Sequence, residues 1–73
     1  MKAQELIEKA INGNLVSDDF NLLFDFDGTE LLGAIEKASE ILGRNLNPKG
    51  FGAEYTFMLD LIFANALKEI AQM

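Results

Sequence analysis

Apolar residues recur at helical spacing in three separate stretches of this chain, and no other feature constrains its fold as strongly. The clearest stretch carries Leu31, Ala34, Ile35, Ala38 and Leu42, joined by Ile41. Steps of three and four residues place these side chains on one face of an α-helix. Asp27 stands where an N-cap belongs, Glu30 is spaced to reach back as in a capping box, and Gly43 ends the pattern. Near the start, Ala3, Leu6, Ile7, Ala10 and Ile11 make a second such face, with Gln4, Glu5, Glu8 and Lys9 opposite. Gly13 follows where a left-handed cap is needed.

The last stretch predicts a helix from about Ala53 to Gln72, with Tyr55, Leu59, Ile62, Phe63, Ala66, Ile70 and Met73 on its main apolar face. Phe57 and Leu61 fall elsewhere: at 100° per residue they lie on the far side, between Asp60, Lys68 and Gln72. A helix apolar on two sides is normally covered on two sides. Either the second segment, with Phe24 or Phe26, covers this spot within the chain, or another molecule does.

That second segment opens at Ser17, a good N-cap, followed by Asp18 and Asp19 in the first turn. Phe20, Leu23 and Phe24 then share a helical face, although Phe20, Leu22, Phe24 and Phe26 also alternate as in a strand. A short helix is the preferred reading. Between Arg44 and Gly52, Pro48, Gly50 and Gly52 mark a loop. The whole predicts an all-α fold: one domain over residues 1–73, a small bundle of three to four short helices with the last at its centre.

Chains of this size bury only roughly 60% of their unfolded surface, so they commonly lean on disulfides, metals or association. Cysteine and histidine are both absent, which removes disulfides, thiolate sites and the usual metal and acid–base ligands. Association is the device left, and neither a catalytic centre nor a cofactor or metal is expected. The lack of cysteine fits a cytoplasmic protein. Met1-Lys2-Ala3-Gln4-Glu5 lacks a signal-peptide layout. Asp60 and Asn65 interrupt the most apolar tract, so no membrane span is expected. The net charge is −6 and the six bases are scattered, which argues against nucleic-acid binding.

Leu22-Leu23-Phe24-Asp25-Phe26-Asp27-Gly28-Thr29 resembles the first motif of the haloacid-dehalogenase-like phosphatases, an apolar strand followed by D-x-D-G-T. The resemblance would make Asp25 a nucleophile and Asp27 an acid–base, since two carboxylates two residues apart can face one phosphate. That family also needs a doubly wound sheet, a later Ser/Thr, a Lys and an acidic pair. The helical pattern after Thr29 gives no strand to present them, and Glu30 replaces the family's apolar residue. The preferred reading is an Asp-Gly turn and a helix cap. A calcium loop with Gly28 at its sixth position would put Leu23 at the first and Ala34 at the twelfth, both unable to ligate.

Five acids without a base run from Asp18 to Glu30 (Asp18, Asp19, Asp25, Asp27, Glu30). They form a candidate surface for a basic partner, although capping and first-turn roles explain most of them. Phe57 and Leu61 form the second candidate surface, for another protein or a second copy of the chain.

The string from Ile7 through Asn12-Gly13-Asn14-Leu15-Val16-Ser17-Asp18-Asp19, then Glu30-Leu31-Leu32 and Ala38, resembles the N-terminal helical segment of biotin-synthase-like radical-SAM enzymes over residues 6–42. Those enzymes hold an iron–sulfur cluster through a Cys triad that this chain lacks. The resemblance therefore implies an accessory segment without barrel or cluster.

Overall fold

A computed structural model describes residues 2–73; Met1 lies outside it. The fold is an all-α bundle: α1 (Ala3–Ile11), a 3₁₀ helix (Ser17–Asp25), α2 (Gly28–Leu42) and α3 (Thr56–Ala71), with no strand among the described residues. The all-α reading holds. α3 is the central element, packed against α2, α1 and the 3₁₀ helix.

The predicted stripes make the core. Leu6 and Ile7 of α1, Leu31 of α2, and Leu59, Phe63 and Leu67 of α3 are its largest fully enclosed side chains. Each is worth about 1.5–3 kcal/mol relative to exposure. Ala3, Ala10, Ala34, Ala38 and Ala66 are buried between them, and their small size lets the helix axes approach.

Ends and turns follow local chemistry. Gly13 has φ 74°; its N–H bonds to the Ala10 carbonyl at 3.2 Å, and that of Asn14 to Lys9 at 2.8 Å. That is the Schellman closure of α1. The Asp27 carboxylate accepts from the Glu30 N–H at 2.8 Å, capping α2. Glu30, however, does not reach back to Asp27. Its carboxylate accepts from the Ala3 N–H at 2.9 Å, so α2 supplies a cap to the start of α1. Ser39 donates to the Ile35 carbonyl and accepts from Leu46 N–H, while Asn47 bonds both backbone groups of Phe51. The loop is thereby pinned to the bundle.

Four expectations need correction. Ile11 and Met73 are exposed because each lies at or beyond the end of its helix. Tyr55 is exposed as well, and α3 starts at Thr56 instead of Ala53, because the Ala53 backbone is laid against Gly28. Leu67, absent from the predicted face, is fully buried: the enclosed arc runs Leu59, Phe63, Ala66, Leu67, Ile70. The second segment is 3₁₀, not α. At three residues per turn, Phe20, Leu23 and Phe26 stack inward, and Phe24, expected beside Leu23, turns out to solvent.

Candidate interaction groove

The rotation of Phe24 brings it onto an apolar groove. The 3₁₀ helix and α3 run side by side, leaving a groove lined by Phe20, Leu23 and Phe24 on one wall and Phe57, Leu61 and Ala64 on the other. Leu23 closes the groove toward the core, whereas Phe24, Phe57 and Leu61 remain 75%, 70% and 48% exposed. Phe24 thus shares the groove with Phe57 and Leu61 without covering them, and Phe26 packs inward against the core. Isolated exposed apolar residues are ordinary; three large ones converging from two elements are not.

Two charged groups sit in this apolar setting. Asp60 lies on the α3 wall, and its Oδ1 is buried with no hydrogen-bond partner, the one such side-chain atom among the described residues. Burial pushes its carboxyl above the ordinary range, since a low-polarity surrounding disfavours the charged form. Two turns along α3, Lys68 also lines the groove. Its Nζ stands 5.8 Å from the centroid of the Phe20 ring, a cation–π contact that holds the ammonium on the groove side.

The acidic stretch is not gathered into one surface. Asp18 and Asp25 point to solvent. Asp27 and Glu30 serve as the caps of α2 and α1. Asp19, expected as a surface acid, is buried: its carboxylate takes the Lys9 ammonium at 2.8 Å and the Val16 N–H at 2.9 Å. These bonds tie the 3₁₀ helix to α1, so Asp19 positions one wall of the groove. The hydrogen bond from Lys9, then that from Val16, holds its carboxyl below the ordinary range. A lowered folded-state pKa gives stability that is present above the unfolded value and lost as pH falls through the folded one. Asp19→Asn is therefore expected to lower the urea midpoint at neutral pH, with the gap to wild type closing as pH drops below the ordinary carboxylate range. A gap that persisted in acid would assign the effect to something other than ionisation.

A second hollow, between α2 and the following loop, has a more polar rim of Glu36, Glu40, Arg44, Asn45 and Asn47. Arg44 there is paired with Glu69 of α3. No three acidic side chains converge as a metal-binding group among the described residues, and no helix is long and apolar enough to cross a membrane.

Sequence reasoning singled out Phe57 and Leu61 and offered Phe24 or Phe26 as their cover within the chain, but missed that Phe24 lies beside them and stays exposed, and missed Asp60 as a partnerless group. The first was hidden by the 3₁₀ geometry. The second had a signal: an acid inside the most apolar tract, four residues before Ala64 and eight before Lys68. Compared with family models, curated proteins and solved structures, the chain matches none.

Proposed function

We propose that this small acidic helical protein works by protein–protein contact, as an adaptor, inhibitor or regulator with no catalysis of its own, and that the groove between the 3₁₀ helix and α3 is its contact surface. The observation that carries the reading is the exposure of Phe24, Phe57 and Leu61 together around one groove. Aromatic and aliphatic anchors around a recess are the usual core of a contact surface, with polar groups at its rim. Ser17, Asn21 and Lys68 supply such a rim. The absence of cysteine supports a cytoplasmic setting. The alternative role, a self-associating or accessory subunit of a larger enzyme assembly, would use the same surface and is in keeping with the radical-SAM resemblance.

Site-specific photo-crosslinking in the native host tests the reading. Benzoylphenylalanine at position 57 is expected to give a discrete adduct, to a protein or to a second copy, that disappears when Leu61→Ser is added. The same probe at Ile11, exposed on another element, should give none. Equal labelling from both positions, or no adduct from position 57, would refute it.

A further inference from the structure

We propose that the groove's occupant is a second copy of this chain, docked antiparallel along α3 about a two-fold axis beside Ala64. The inference rests on the reading of the groove as a contact surface and adds what fills it.

The argument lies in how α3 is laid out. Asp60 comes four residues before Ala64 and Lys68 four after. At 1.5 Å and 100° per residue, they sit about 6 Å along the axis to either side, and about 40° to either side of the Ala64 direction. An antiparallel two-fold pairs positions equally spaced before and after its centre. It therefore sets Asp60 against the partner's Lys68, and Lys68 against the partner's Asp60. Likewise Phe57, seven residues before the centre, meets the partner's Ala71, seven after. A large side chain faces a small one, and Ala64 faces its own copy at the crossing, where a methyl group permits axes about 8 Å apart.

The charges fit the same arrangement. Asp60 Oδ1 has no partner among the described residues, and Lys68 is held on the groove side by Phe20. Each pair formed across the two-fold would give the carboxylate a donor at the oxygen the chain does not enclose, in a surrounding that water leaves on docking. The ammonium's flexible stem can span the small sideways offset between the two positions.

The net charge of −6 opposes any self-association, but this repulsion is screened over about 8 Å at physiological salt. The dimer is accordingly weaker at low ionic strength. For a chain without disulfides, pairing is also a direct source of added stability.

Sedimentation equilibrium of the purified full chain, from micromolar to millimolar concentration, tests this. Wild type is expected to approach twice the 8.1 kDa chain mass. Asp60→Lys and Lys68→Asp each place like charges across both symmetric contacts, so each should weaken the dimer by about tenfold or more. The reciprocal double variant should return to within about threefold of wild type, a rescue that a nonspecific charge effect would not give. Lys68 is exposed, so its variant reports on pairing even if Asp60→Lys disturbs the fold. A wild type that stays at single-chain mass, or swaps without mutual rescue, would overturn the proposal. If the purified chain is monomeric while position 57 crosslinks a different protein, the self-pairing fails and the contact reading stands. Absence of both would remove both.

Discussion

Gly28→Ala is expected to lower the stability of this protein by about 3 kcal/mol, the upper part of the range for forced overpacking. Gly28 is the first residue of α2, and a Cβ there would overlap the Ala53 carbonyl oxygen and stand 2.6 Å and 2.7 Å from the Ala53 carbonyl carbon and Cα. All three obstacles are backbone atoms, so no side chain can rotate aside. The two segments are also held from outside the contact: Asp27 caps α2, and the Thr56 hydroxyl donates to that same Ala53 carbonyl. Helix propensity alone predicts the opposite sign, since alanine is better than glycine in a helix interior by about 1 kcal/mol. Gly33→Ala is the matched control. Gly33 lies within α2, is exposed, and a Cβ there meets nothing within 4 Å, so that change should raise stability by about 0.5–1 kcal/mol. Urea unfolding followed by helical circular dichroism checks both, and two changes of the same sign would disprove the Gly28–Ala53 packing.

Phe57→Ser/Leu61→Ser is expected to do the reverse: remove two large apolar groups, leave the monomer's stability within about 1 kcal/mol, and weaken association through the groove by about a hundredfold or more. Buried apolar groups of this size cost 2–5 kcal/mol each when truncated. These two are 70% and 48% exposed, so only the smaller part of that loss applies within the chain. In a contact they are the anchors, and truncating central anchors commonly costs 2 kcal/mol or more each. The two readings of the same residues therefore predict opposite results on stability.

How much of this could be read from sequence depended on which physical rule governed each segment. The α1 and α2 stripes were legible because their apolar spacing, caps and terminal glycines all agree with one period. The Asp27 cap was legible for the same reason. Glu30 was only half legible: its spacing from Asp27 marks a capping box, but the unsatisfied Ala3 N–H that it serves is brought near by tertiary packing. Asp19 looked like a surface acid because nothing local announces that Lys9, ten residues earlier, will lie within 2.8 Å. Phe24 was misplaced because the α period was applied to a segment that takes three residues per turn. Along α3, Tyr55 and Met73 fit the helical angle but lie outside the helix ends, while Leu67 completes an arc that the main stripe leaves unfilled. The groove was accordingly half visible: Phe57 and Leu61 stood out as misfits on a helix and the second segment was one of two candidate covers, but that Phe24 lines the opposite wall and leaves them exposed emerges only from the fold.

Phe57 and Leu61 are proposed to serve a contact outside the chain's own core. The most direct test is the urea midpoint of wild type and Phe57→Ser/Leu61→Ser over a series of protein concentrations. At the lowest concentration the two are expected to differ by no more than about 1 kcal/mol, with wild type alone climbing as concentration rises, because association stabilises only the folded state. A double variant already less stable by 2 kcal/mol or more at the lowest concentration would contradict the claim and return both residues to the core.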